Sequence, residues 1–577
     1  MSAARKFENR SKGSTLILSM IFVLVFSALA VSLATISGAN VQVASNQHKI
    51  NTALYAAQSG LECGKYLVKT VLLDWTPRNS VSDDEADEAW SDLCVHVATR
   101  GLDGKTVAYD ANELTIQGMQ LDGSDATFTV RFHRDASDRR IIALQSTGAH
   151  DGASRTVGIT MAITKDREVL SYAVASRGRI WLDEGSVVHG PLFSTWNRPE
   201  VGPGIETSPG TAVYGTVGTV ISLADFQANG IQMETLGDND NAMFYFGVSA
   251  FDDEGNPVSD TYGPVDDDGY LLDLDLNPIY DEDGNRVFKD YDLRYYSSDD
   301  HIKGYHEDIL YDVPFNSDMP GMQREDYDTS DYKAMCSEIG SHSSTTTEYF
   351  PHAEGNYSQP RNSSSFQYSR RVYENQTFSN VRVPQGKHAL FKNCTFEDVL
   401  FIETRVNYYN HSSYTNNIRF EDCTFNGVIV TDVPTSTDHY SWWMRNALTF
   451  TGASVFNNTS SIQEATVLAP NFNVNIGSTA QVGDTSNSII KGAVVGGIVD
   501  VYGNATIHGT IISMYDTSAH SSGYITNIGD REDGGSESYG TIEGQIEITP
   551  DPDQMLPSGI TSPIIIQPNQ NTYSESV

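Results

Sequence analysis

The residues whose types could do chemistry do not assemble into a catalytic pattern. His189 and His508 occupy matching positions of two similar segments, 186–196 (SVVHGPLFSTW) and 505–515 (ATIHGTIISMY), which points to a repeated turn. His301 and His306 lie five apart with no third metal-ligand type at useful spacing. Asp484, Ser486 and Ser488 fit a DxSxS metal-adhesion string but lack the long apolar strand that precedes it in such sites. HExxH, GxSxG and P-loop strings are absent. Carboxylate pairs are abundant, and in so acidic a chain they have no diagnostic value for glycoside chemistry. The chain is therefore expected not to be an enzyme and to carry no cofactor. Trp442–Trp443 and the other aromatic pairs could stack on sugars, but in a repeated β fold they are more often ladders or loop anchors.

Charge narrows the choices further. The 577 residues carry 75 acidic and 37 basic side chains, a formal net charge of −38, which repels phosphate backbones and excludes nucleic acid as a partner. Residues 231–340 hold 28 acidic and 6 basic residues. Within them FDDEGNPV, VDDDGYLL and YDEDGNRV each join two strand-like runs through an acidic turn with glycine, the form of a β-hairpin. Clustered carboxylates also suit calcium. However, residues 273–284 lack the sixth-position glycine and twelfth-position glutamate of an EF-hand, so a solvated, hairpin-rich insertion is expected. The five cysteines show no CxxC spacing. Cys63 and Cys94 could form a disulfide clipping a helix to the domain above it, or remain thiols in packed interiors. Cys394 and Cys423 fall at matching places of a second repeat, 391–403 and 420–432, offset by 29 residues.

The elements that would position these residues begin with the N-terminus. Arg5, Lys6, Arg10 and Lys12 precede a stretch from Gly13 to Gln47 with no acidic or basic residue. Residues 16–39 would span about 36 Å as a helix at ~1.5 Å per residue, enough for a bilayer core of ~30 Å. The basic flank keeps the N-terminus in the cytoplasm. The apolar run is too long for an ordinary signal peptide, although Ser37–Gly38–Ala39 could pass for a cleavage site. Val43, Ile50, Leu54, Ala57, Leu61, Val68 and Leu72 then continue at helical spacing, and no proline occurs before Pro77. One helix of nearly sixty residues is predicted, apolar first and amphipathic second.

Residues 12–68 resemble the type IV pilin superfamily, and most closely the PilX-type minor pilins; YAAQSGLE (55–62) is similar to the signature at the foot of that family's helix. The resemblance implies cleavage by a prepilin peptidase after Gly13, leaving Ser14 as the new N-terminus. It also implies insertion in the inner membrane and packing with other pilin-like subunits. Major pilins carry a glutamate at the fifth mature position; here that position is Leu18. The departure favours a minor, tip or initiation role. A plain signal anchor is the alternative.

Beyond the helix, residues 126–133, 140–146 and 155–164 read as an antiparallel meander covering its apolar stripe, which places a small β head at 40–166. From residue 168 short apolar strands recur with glycine and asparagine turns, predicting a large all-β region whose coils stack on one another. We expect a right-handed parallel β-helix over 168–230 and 341–550, the handedness being a family-style expectation, interrupted by the acidic insertion 231–340 and followed by a C-terminal tail, 551–577. A β-sandwich with long loops is the alternative. The expected function is a minor pilin-like subunit displaying the β-helix for adhesion or assembly, with surface polysaccharide as a possible partner. The alternative is a membrane-anchored polysaccharide-binding or polysaccharide-active protein.

One prediction needs only the sequence. Protection from proteolysis across 231–340 should rise with ionic strength whichever cation supplies it, because exposed like charges are screened within ~8 Å at physiological salt. Protection that follows calcium at constant ionic strength would instead make the acidic turns a calcium site.

Overall fold

The computed structural model describes residues 11–225 and 309–576 with breaks, the longer ones at 350–366, 406–413, 434–445, 458–464, 479–485, 515–524 and 530–543; of 226–308 it describes only short stretches. Most of the acidic insertion, Asp484, His306 and Trp442–Trp443 thus lie outside the described residues, and His301 is described in its backbone alone. The chain divides into two compact units. Residues 1–74, 81–164 and 564–577 form one, and residues 75–80 with 165–563 form the other.

The first unit is built on helix α1, Ser11–Lys69, 59 residues without interruption. Helix α2, Asp83–Thr99, starts at a capping box: the Ser82 hydroxyl accepts from the Glu85 N–H while the Glu85 carboxylate accepts from the Ser82 N–H. Its acidic first turn also suits the positive end of the helix dipole. The sheet runs in the order Trp75–Thr76, Ser562–Ser576, Ala153–Lys165, Ile141–His150, Thr127–Arg134, Glu113–Gln120, Thr106–Tyr109. The four pairings from Thr106 to Lys165 are antiparallel. Alternation sends Phe128, Val130 and Phe132 into the core from Thr127–Arg134. The three expected strands are present. Two strands before them, Thr106–Tyr109 and Glu113–Gln120, carry weaker alternation and were not foreseen.

The last strand corrects a reading. The segment taken as a tail is in large part a strand of this sheet, and Ile564 and Ile566 are buried in its core with Leu61 and Ile159. Its prolines and polar residues disguise it. Cys63 and Cys94 are not bonded to each other in this structure, where all five cysteines are free. Cys94 is wholly buried and Cys63 packs against the same core as a small apolar side chain. Burial pushes both thiols up, that of Cys94 to about 12.

The second unit is the large all-β region. Its strands join in parallel pairs from one rung to the next, the described exception being Thr345–Tyr349 against Gln367–Glu374. The 29-residue offset in the sequence is the register itself: Phe391 pairs with Phe420, and Phe396 with Phe425. Two aromatic columns result. Tyr373, Phe391, Phe420 and Phe450 stack at centroid spacings of 5.0, 5.5 and 5.0 Å. Phe378, Phe396, Phe425 and Phe456 stack beside them at 5.4, 5.1 and 4.4 Å. The spacing is close to one strand separation, ~4.8 Å. Cys394 and Cys423 are buried on these rungs, and the hydrogen bond to Cys394 together with burial pushes the Cys423 thiol well up.

The order of the rungs departs from chain order. The first rung, 174–188, pairs on one side with 192–213 and on the other with 511–549, the last rung. The two similar histidine-containing segments, 319 residues apart in sequence, therefore lie two rungs apart. Gly509 shows why one turn of this repeat requires glycine. Its φ is +152°, and a Cβ there would come within 2.0 Å of the Gly492 carbonyl oxygen.

Since the chain starts in the middle of the stack, it must return to the far side before winding back. Residues 319–339 belong to that return. Met319, Met322, Tyr327 and Tyr332 are buried against Phe193, Ala175, Ile512, Val495, Leu468, Val430 and Phe401, which come from successive rungs. This corrects the reading of 231–340 as wholly solvated: its last twenty residues form an apolar strap, because one outer face of the rungs is itself apolar. Short helix α3, Ser330–Met335, lies in this strap.

Replacing Phe420 by Ala should destabilise the second unit by about 3–5 kcal/mol, the cost of an aromatic cavity in a packed column. Chemical denaturation of the full chain, followed by a probe in each unit, should show that loss in the second unit's transition and leave the first unit's midpoint in place.

Candidate membrane and assembly segment

Among the described residues no group of three or more His, Cys, Asp or Glu is placed to hold a metal. His189 accounts for its own position, with Nε2 3.3 Å from Glu547 Oε1 and its ring stacked on Tyr214 at 5.3 Å. The outstanding feature is instead the first half of α1.

From Ser14 to His48 every side chain of the helix is exposed. Leu16, Ile17, Leu18, Phe22, Leu24, Phe26, Leu29 and Val31 are each more than half exposed. A surface hydrophobic all round is stable only where something apolar covers it, a membrane or other helices. The helix is long and apolar enough to cross a membrane. Gly13 and Ser14 lie in its first turn. Leu18 projects among the other exposed apolar residues, where a carboxylate without a partner would be costly in lipid.

The second half is packed differently. Ala53, Ala56 and Ala57 are wholly buried, and Gly60 and Gly64 continue their face. A Cβ at Gly60 would lie 2.1 Å from Ser146 Oγ and 2.6 Å from Phe128 Cδ2, and one at Gly64 would lie 2.8 Å from Leu144 Cδ1. From the sheet side, a Cβ at Gly148 would meet the Ala53 carbonyl oxygen at 2.0 Å. Helix backbone and sheet thus approach so closely that only small residues fit. This contact gives the AAQSGL string a physical cause that pattern reading missed; the run of small residues at helical spacing was its signal. The predicted apolar stripe is buried from Ala57 to Val68, whereas Val43 and Leu72 are exposed, Leu72 because the helix has ended. Lys49 pairs with Asp151 at 2.8 Å where the helix leaves the sheet.

Residues 12–62 match the family model of the PilX N-terminal segment. The match ends two residues before Gly64, so it covers the exposed half of α1 and the start of its small-residue face. No curated protein matches the chain. Among solved structures, the competence-associated pilin ComZ from Thermus thermophilus aligns over 92% of this chain and 97% of its own, at 13% identity and a TM-score of 0.25, too low to support any argument. Over residues 12–62, within its N-terminal helix, the chain is similar to the PilX N-terminal segment.

The two halves of α1 should respond differently to substitution. Gly60→Leu forces bulk against Phe128 and Ser146 and should cost the first unit at least the ~1–3 kcal/mol of an overpacked core. Leu24→Ala removes a side chain with no cover in the chain and should leave stability within about 0.5 kcal/mol. Thermal melts of the two variants in detergent check both.

Proposed function

We propose that this chain is a minor pilin-like subunit of a type IV pilus or a type II secretion-like assembly. Before assembly α1 spans the inner membrane once, N-terminus in the cytoplasm, with the rest of the chain on the outer side. After assembly its apolar half packs among the helices of other pilin-like subunits. The second unit, read as a right-handed parallel β-helix, is then displayed at the pilus or cell surface for adhesion or assembly, without enzymatic activity. The observation that carries this reading is the single helix whose exposed apolar half and small-residue foot coincide with the PilX N-terminal match. The parallel register and the aromatic columns support the β-helix.

A second reading, polysaccharide binding, is favoured by one observation. An open cleft of about 560 Å³ is lined by Asn487, Asn504, Thr506, Gln545 and Glu547, polar groups of the kind that bind sugar hydroxyls.

Processing tests the main proposal. The mature chain should begin at Ser14, and Gly13→Val should leave a longer precursor that does not enter the assembly. Sequencing of the mature N-terminus by mass spectrometry decides. A start at Asn40 would mean an ordinary signal peptidase and would overturn the pilin reading.

A further inference from the structure

The strap and the stack meet at a cluster that a simple ion pair does not require. Lys333, on α3, places its Nζ 2.9 Å from Asp432 Oδ1 and 3.2 Å from Oδ2. Glu403 Oε1 stands 3.3 Å from the same nitrogen. The Thr404 N–H donates to Asp432 Oδ2 at 3.0 Å. The ring of Phe401 lies 5.5 Å from Nζ. Asp432 and Glu403 side chains are 11% and 19% exposed, that of Lys333 35%. Arg382 holds Glu403 from the other side at 3.5 Å. Lys333 and Asp432 are 99 residues apart in sequence, one on the strap and the other just past the strand Thr424–Thr431.

We propose that Lys333 and Asp432 form an intramolecular isopeptide bond, with Glu403 as the proton relay and the Thr404 N–H as the oxyanion donor. The fold holds Lys333 Nζ 2.9 and 3.2 Å from the two Asp432 carboxyl oxygens, so amine and carboxyl are kept together as intramolecular reactants. Lys333 gives one proton to Asp432, leaving a neutral amine beside a neutral carboxyl. Burial, which pushes the Asp432 carboxyl up, makes that neutral form cheaper. Burial opposes charge on Lys333 too, although the bonds and charges of Asp432 and Glu403 outweigh it and hold the ammonium up overall. The Nζ lone pair then attacks Asp432 Cγ and a C–N bond forms. Negative charge gathers on Oδ2, where the Thr404 N–H already points. Glu403 takes the second Nζ proton and delivers it to Oδ1, the C–O bond breaks, and water leaves. Amine and carboxylic acid become amide and water, with no oxidant, reductant or metal. Glu403 and Thr404 touch the reacting atoms. Arg382 acts on Glu403 alone and is a positioning residue.

The product would staple the strap to the rungs it crosses, so that a chain entering its stack in the middle could not peel open along the return segment.

The test is a tryptic map of the purified full-length protein. The bond predicts that residues 325–361 and 420–445 travel as one branched peptide, one water lighter than the two linear peptides together, with Lys333 resistant to trypsin. Glu403→Gln should abolish the branched peptide while the protein stays folded, as read by circular dichroism. Lys333→Arg should also abolish it and keeps a cation for Asp432. Linear peptides alone from folded wild-type protein, after prolonged incubation at neutral pH, would overturn the proposal and leave an ion pair. A branched peptide that persists undiminished in Glu403→Gln would overturn the role of Glu403.

Discussion

No rung of the larger unit can bury its own apolar face, and the architecture follows from that constraint. A strand hydrogen-bonds to the rung on either side and sets its aromatic and β-branched side chains on theirs. Stability therefore comes from continuity, and each break in continuity needs a structural remedy. The first rung is flanked by its successor and by the last rung, so residues 174–188 are covered on both sides by segments from opposite ends of the region. That closure requires the chain to double back, and the doubling back supplies the strap. Met319, Met322, Tyr327 and Tyr332 cover an outer sheet face that would otherwise be apolar and exposed.

The same rule, cover for every apolar face, divides α1. Where the helix lies on the sheet the contact is close enough to exclude even a methyl group at Gly60, Gly64 and Gly148. Where the helix runs beyond the sheet there is no cover within the chain, and the residues are apolar on all sides. The first half is built for an environment that the chain does not provide. The strand at the C-terminus completes the head in the opposite sense, with Ile564 and Ile566 brought from the end of the sequence to a core whose other members all lie before residue 165.

Local signals made much of this legible. The charge-free run from Gly13 to Gln47, the absence of proline before Pro77 and the helical spacing of Ala57, Leu61 and Val68 determined a single long helix, since helix formation depends on residues three and four apart. The 29-residue echo of Phe391, Cys394 and Phe396 determined which residues would stack, because a repeat carries its register with it. The last three strands of the meander before residue 165 were readable from alternation and β-branched residues.

What only the tertiary structure decided is what depends on distant parts of the chain. Nothing in SPIIIQPNQNTYSES says that it belongs to a sheet some four hundred residues earlier, because a strand with prolines satisfies no local pattern. The spacing of Cys63 and Cys94 could not say whether they bond; each packs in the head core and remains a thiol. The order of rungs, with the first lying against the last, is likewise invisible to periodicity, which records that coils are alike and not which neighbours they choose. The meeting of Lys333, Glu403 and Asp432 follows from the path of the strap and from no motif. Sequence determines the faces that must be covered; the global path of the chain determines what covers them, because burial is non-directional and takes whichever apolar surface the backbone brings within reach.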